Sequence, residues 1–202
     1  MNLAVLGATG RTGRLVVEQA LAAGHTVTAL VRSPEKLTTG NPNLRVVTGE
    51  ATEASAVASA LEGADAVIST LGGKGPVIAD STTAIVAAAR KTGVSRVIVL
   101  STFAAERDRL GAATRLLTGI GMSAMLRDKS AGEEMLRRSD LEWTIVYASI
   151  LSDGPASGSV AVLPQGAKRG LSQKISRADV AAWLVEAATG GQHSRRSVGI
   201  TG

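Results

Sequence analysis

The stretch that most constrains this chain is Gly7-Ala8-Thr9-Gly10-Arg11-Thr12-Gly13, which follows the apolar run Leu3 to Leu6 and leads directly into Gly13, Val16, Val17, Ala20 and Leu21. Those last five positions recur at the spacing of one helix face, and Gly24 stands where such a helix would end. Strand, glycine turn and helix in this order have a physical use. Glycine allows the backbone to turn sharply and a pyrophosphate to approach, while the helix N-terminus offers free amides and a partial positive charge. The pattern is Gly-x-x-Gly-x-x-Gly, so the turn is one residue longer than in the commonest dinucleotide fingerprint. A phosphate cradle made by Gly7, Thr9, Gly10, Arg11, Thr12 and Gly13 is the expectation.

The rest of the chain repeats the strand-helix rhythm. Apolar runs at Val27 to Val31, Leu44 to Val47, Ala66 to Ile68, Val97 to Leu100 and Thr144 to Val146 read as strands separated by helical segments. One helix is expected from about Asp80 to Thr92, with Arg90 and Lys91 at its carbonyl end and Gly93 beyond. Ser176 and Asp179 resemble a capping box ahead of Val180, Ala181, Leu184, Val185 and Ala188, and a short strand is expected near Val198 to Thr201. Alternation of this kind predicts βαβ units, a doubly wound and mostly parallel sheet with helices on both faces, in short a single-domain α/β Rossmann fold over residues 1–202. Phe103 to Arg127 and Ser152 to Lys174 break the rhythm and read as irregular segments on the substrate side.

Composition narrows the function. A chain of 202 residues with 45% hydrophobic content builds one sizeable core. With Phe103, Trp143, Tyr147 and Trp183 as the only aromatics, that core consists of Ala, Val, Leu and Ile, the filling of a sheet buried on both faces. The absence of cysteine removes disulfides and thiol chemistry, and fits a cytoplasmic setting. No signal peptide and no membrane span are expected. His25 and His193 lack ligand partners in sequence, so no metal is expected. The net charge of +5 suits an anionic small molecule, whereas nucleic-acid platforms interleave basic residues with stacking aromatics, of which this chain has four, scattered.

At the end of the second apolar run stands Val31-Arg32-Ser33, where NAD-specific proteins place an acid to hold the adenosine ribose. A guanidinium pairs with a 2′-phosphate that an acid would repel, so Arg32, helped by Ser33 and by Lys36 or Arg11, points to NADP(H) over NAD(H).

The motifs GATGRTG, VRSPEKL (Val31 to Leu37), VVTGE (Val46 to Glu50), GADAVISTLGG (Gly63 to Gly73), VIVLST (Val97 to Thr102), LEWTIVYASIL and ISRADVAAWL span nearly the whole chain. Taken together, the chain resembles the atypical short-chain dehydrogenase/reductases of the NAD(P)H-binding group, which includes flavin and biliverdin reductase-like and NmrA-like proteins. The resemblance implies that Glu50 and Ala51 line the adenine pocket and that Thr70, Leu71 and Gly72 pass beside the ribose-phosphate. It also implies that Ser101, Thr102 and Lys129 approach the nicotinamide and its ribose, as candidate catalytic groups, and that Ala148, Ser149 and Ile150 meet the carboxamide. Lys129 shares a helical stripe with Gly132 and Leu136 and should lean inward, the alternative being a surface lysine paired with Glu133. The Tyr-Lys pair of the superfamily's classical members is missing, and Tyr147-Ala148 stands where the family usually has Arg-Pro.

Two functions are consistent with these residues. One is an oxidoreductase passing hydride from NADPH to a small conjugated acceptor such as a flavin, quinone or enone, the proton coming from water. The other is a non-catalytic NADP(H)-binding redox sensor of the NmrA-like type. The expected partner is a small-molecule acceptor, and the chain is expected to be a monomer or homodimer.

Overall fold

The computed structural model describes residues 1–37, 40–72, 77–105, 110, 123–164, 166–167 and 172–202. In chain order the strands are β1 (Asn2–Leu6), β2 (Thr26–Val31), β3 (Leu44–Thr48), β4 (Ala66–Ser69), β5 (Arg96–Thr102), β6 (Glu142–Ala148), β7 (Ile150–Ser152), β8 (Ala161–Leu163), β9 (Lys174–Ser176) and β10 (Arg196–Thr201). The helices are α1 (Arg11–Ala22), α2 (Ala54–Leu61), α3 (Val77–Thr92), α4 (Ser123–Arg138) and α5 (Arg177–Thr189). Eight strands form one sheet in the order β3-β2-β1-β4-β5-β6-β10-β8, and β7 pairs with β9 separately. Every neighbour in the large sheet is parallel except β8, which runs antiparallel on the outer edge of β10. This is the doubly wound Rossmann architecture the alternation implied.

Strand periodicity divides the core in two. Leu3 and Val5 of β1, with Ile98 and Leu100 of β5 and Val146 and Ala148 of β6, face α1 and α5. Ala4 and Leu6, with Val97, Val99, Ile145 and Tyr147, face α2, α3 and α4. Both faces are buried, which is why these strands read as continuous apolar runs rather than alternating ones.

At α3 and α5 a side chain satisfies the first amides, from a distant helix in one case and from the adjoining residue in the other. Helix α3 starts three residues before the expected Asp80, because the Asp128 carboxylate of α4 accepts from the amides of Ile78 and Ala79 at 2.9 Å each. Gly132 lets α3 and α4 approach: a Cβ there would meet Thr82 Oγ1 at 2.9 Å. At α5 the Ser176 hydroxyl accepts from the Asp179 amide at 2.9 Å, as a capping residue should. Asp179 itself accepts from the Ser157 and Gly158 amides at 3.0 Å each, and from the Ser157 and Ser176 hydroxyls. Its carboxylate therefore ties down a distant loop.

The two segments expected to be irregular contain more structure than their composition suggested. Ser152 to Lys174 includes β8, and Phe103 to Ala105 is a 3-10 turn while Ser123 to Arg127 is the first part of α4. Residues 106–109 and 111–122 of the first segment lie outside the described residues.

Candidate functional site

From β1 the sheet grows in one direction through β2 and β3 and in the other through β4, β5 and β6. The carboxyl ends of β1 and β4 therefore flank the point where strand order reverses, the usual place for a ligand crevice in an open α/β sheet. A cleft of about 460 Å³ opens there, lined by Gly7, Thr9 and Gly10 after β1, Leu30 from β2 and Arg32 just after it, Gly49 to Thr52 after β3, Thr70 to Gly72 after β4, and Val77. Nine residues expected from sequence to touch a cofactor thus share one wall. Leu30, Gly49, Thr52 and Val77 were not expected there. Gly49 carried a recognisable signal only in space: a Cβ on it would lie 2.5 Å from that of Ala56 on α2.

The glycines of the turn do different work. Gly7 has φ +82°, a left-handed conformation that a side chain resists, and a Cβ there would crowd Thr70. Gly10 is the N-cap of α1 and its amide donates to the Gly7 carbonyl at 2.9 Å, but it supplies no side-chain cap. Gly13 packs α1 on the turn so closely that a Cβ would lie 2.1 Å from the Gly7 oxygen. The first turn of α1 also holds no acid. Its free amides and dipole thus face the cleft without an internal anion, the arrangement an external phosphate completes.

The remaining expected residues lie around this centre. Thr12 and Gly13 are buried in the first turn of α1, while Arg32 and Lys36 are exposed at the end of β2 and in the following 3-10 turn, with Ser33 half-buried between them. Arg11 directs its guanidinium at Asp153, beyond β7.

Toward β5 and β6 the structure builds a polar cluster that sequence reading missed. Ser101 and Tyr147 are register partners on neighbouring strands, and both point toward α4. Between them lies Glu133, only 5% exposed, accepting from the Ser101 hydroxyl at 2.6 Å and from the Tyr147 phenol at 2.5 Å. Arg137 donates to the same carboxylate at 3.2 Å and to the Tyr147 oxygen at 2.7 Å. A buried carboxylate needs such partners. Glu133 is therefore an internal hub and not the outer half of a surface pair.

Lys129, one helical turn closer to the carboxyl edge, is 9% exposed. Burial pulls its ammonium below the usual lysine range, against Glu133 and Asp128, which favour the charged form. Thr102 ends β5 half-buried, and Ala148 and Ser149 are buried where β6 gives way to Ile150. The Ser149 hydroxyl has no hydrogen-bond partner among the described residues although the residue is 3% exposed. An orphaned buried hydroxyl at a strand end, an uncapped helix start and a cradle from which side chains are excluded all fit a dinucleotide. No group of three or more potential metal ligands occurs among the described residues, and no described helix is long and apolar enough to cross a membrane.

Comparison with known proteins agrees with this geometry. Residues 7–190 match the family described as NAD(P)H-binding, and the chain belongs to that family. An uncharacterised chloroplastic protein of Arabidopsis thaliana is 32% identical over 200 residues, covering 91% of this chain and 70% of the relative. A (4-alkanoyl-5-oxo-2,5-dihydrofuran-3-yl)methyl phosphate reductase of Streptomyces griseus is 31% identical over 203 residues, covering 98% of this chain and 67% of the relative. Among solved structures, an anaerobillin reductase from Escherichia coli O157:H7 is 28% identical, with a TM-score of 0.85 over 99% of this chain and 96% of that one.

Proposed function

We propose that this member of the NAD(P)H-binding family is a single-domain oxidoreductase that takes NADP(H) in preference to NAD(H) and reduces a small conjugated acceptor. The observation that carries the reading is the cleft in which Arg32 shares a wall with Gly7, Gly10 and Thr70. A guanidinium at the end of β2 suits a 2′-phosphate, and the amides opening α1 suit the diphosphate.

In this reading Glu50 and Ala51 line the adenine pocket, Thr70 to Gly72 run beside the ribose-phosphate, and Lys129 approaches the second ribose. The Ser149 hydroxyl, free to donate and accept, meets the carboxamide together with the backbone at Ala148 and Ile150. When bound, the reduced nicotinamide supplies a hydride. The protein's part is to hold the ring against the acceptor and to exclude competing geometries. Ser101 is already donating to Glu133, so it supports the floor of the site, and the acceptor's proton comes from water or Lys129.

The named relatives favour a conjugated acceptor: the Streptomyces reductase acts on an oxo-dihydrofuran, and the Escherichia coli neighbour on anaerobillin. The test is NADPH oxidation in the presence of FMN, a benzoquinone or an unsaturated lactone. Turnover above the uncatalysed rate with any of them is the expected result. Saturable NADPH binding with no turnover on all three would overturn the reductase reading in favour of a sensor.

A further inference from the structure

Of the three buried side-chain polar atoms that have no hydrogen-bond partner among the described residues, two lie where the large sheet gives way to the β7-β9 pair: the Ser149 hydroxyl oxygen and the Gln173 side-chain oxygen Oε1. They come from distant parts of the chain. Ile150 and Lys174 are register partners in parallel pairing, so the residues just before them, Ser149 and Gln173, stand level across the start of the pair, with backbones about 5 Å apart. The Ile150 amide donates to the Gln173 backbone carbonyl at 3.1 Å and fixes that approach. Gln173 is held from its other side as well: the Lys174 carbonyl accepts from the Gly202 amide at 3.0 Å, and Ile175, 2% exposed, is set in the core. A buried oxygen that can only accept, on a backbone fixed in this way, costs stability until a donor reaches it.

This point lies on the carboxyl edge of the sheet, the edge on which the cleft opens. Ala148, at the end of β6, is level with Thr102 at the end of β5, and β5 adjoins β4. Two strand spacings put the end of β6 about 10 Å from the end of β4, within reach of a nicotinamide riboside whose diphosphate sits at the opening of α1. A nicotinamide ends in a primary carboxamide, which asks for one donor to its oxygen and an acceptor for its amino group. The backbone donors here are already committed: the Ser149 amide donates to the Ile200 carbonyl at 3.0 Å, and the Ile150 amide to Gln173. The donor left is the Ser149 hydroxyl, and the acceptor left beside it is Gln173 Oε1.

We propose that Gln173 is a cofactor-contacting residue that orients the nicotinamide: its Oε1 accepts from the carboxamide amino group while the Ser149 hydroxyl donates to the carboxamide oxygen. The proposal rests on the cofactor reading above and adds to it a residue that no sequence motif marked. With both ends of the carboxamide held, the ring cannot turn over, and one face stays committed to the acceptor.

NADP⁺ and its 3-acetylpyridine analogue differ only in that a methyl group replaces the carboxamide's amino group, so they serve as probes. Their affinities are measured by calorimetry on the full chain. NADP⁺ is expected to bind about tenfold more tightly, the weight of one buried hydrogen bond. Gln173→Leu should bring that ratio close to one, whereas Gln173→Glu, which still presents an acceptor, should keep it. Ser149→Ala should weaken both dinucleotides by the same factor, because both carry the carbonyl. Equal affinities in the unaltered protein, or a ratio that Gln173→Leu leaves unchanged, overturn the proposal. Loss of the ratio in Gln173→Glu as well would mean that the residue acts through packing, and overturns it too. Should Gln173→Leu fail to fold, Gln173→Met takes its place with the same expectation. No binding of either dinucleotide would bring down the cofactor reading, and the proposal with it.

Discussion

Substituting Gly13 by alanine tests whether the turn is a packed cradle or a loose loop. The added Cβ would lie 2.1 Å from the Gly7 oxygen, 2.8 Å from the Gly7 carbonyl carbon and 2.8 Å from Thr70 Oγ1, where ordinary contact begins near 3.4 Å. The first turn of α1 must then retreat from the Gly7 oxygen by about 1.3 Å, the difference between those distances. That oxygen also accepts from the Gly10 amide at 2.9 Å, so the retreat strains the bond that closes the turn. Overpacking of this kind costs about 1–3 kcal/mol, and a weakened hydrogen bond adds about 1 kcal/mol. The better helix propensity of alanine returns about 1 kcal/mol, leaving a net loss of roughly 1–3 kcal/mol. For a chain of this size the melting temperature should fall by roughly 2–12 °C. NADPH affinity should fall by on the order of 10- to 100-fold, because the phosphate-binding amides move by about an ångström.

Gly40→Ala is the control, since a Cβ there meets nothing within 4 Å among the described residues. It should leave stability unchanged or raise it by up to about 1 kcal/mol. Thermal melts and fluorescence titration with NADPH read both effects. If Gly13→Ala melts within about 1 °C of the parent and binds NADPH within about twofold, the packing argument is wrong.

Arg96 is a buried cation whose guanidinium donates to the carbonyls of Glu142, Ala187 and Gln192 at 2.7 to 2.9 Å, pinning the end of α5 to the sheet. Arg96→Met should cost about 3 kcal/mol, read as a lower urea midpoint, because three carbonyls lose a charged donor. Asp179 is 3% exposed; burial pushes its carboxyl up, but the amides of Ser157 and Gly158 and the Ser176 and Ser157 hydroxyls outweigh that and hold it below the usual carboxylate range. Its stabilisation is therefore fully present above about pH 4 and lost as the pH falls through the depressed folded-state value. Asp179→Asn should lower the urea midpoint at pH 7, with the gap from the parent narrowing toward pH 2. A gap that does not change with pH would contradict the assignment.

The strands of the sheet centre were readable because burial on both faces makes them apolar throughout, and the first helix because its stripe and Gly24 agree. The cleft was readable for a topological reason. In a parallel sheet each strand's carboxyl end arrives at the same edge, so Gly7, Arg32, Glu50 and Thr70 converge although they are scattered along the chain. What escaped depends on long-range partners. The start of α3 is set by Asp128, fifty residues away from Ile78, and no local signal reports it.

Strand β8 is three residues long, lies in a stretch rich in glycine and proline, and exists only by pairing with β10. Ser101 was expected at the nicotinamide, and its position at the end of β5 was correct. The parity of the pleat turns its hydroxyl toward α4, where Glu133 takes it. Tyr147 had no assignable role until Glu133 and Arg137 were found against its phenol.

In the proposed function the opening of α1 holds a dinucleotide and Arg32 selects its phosphorylated form. Calorimetric titration of NADPH and NADH into the parent chain and Arg32→Asp tests it most directly. Saturable binding of both is expected, with NADPH favoured in the parent by about tenfold or more, the weight of a charge-assisted phosphate contact, and that preference lost or reversed in the variant. Absence of heat with either nucleotide, or equal affinities unaltered by Arg32→Asp, would contradict it.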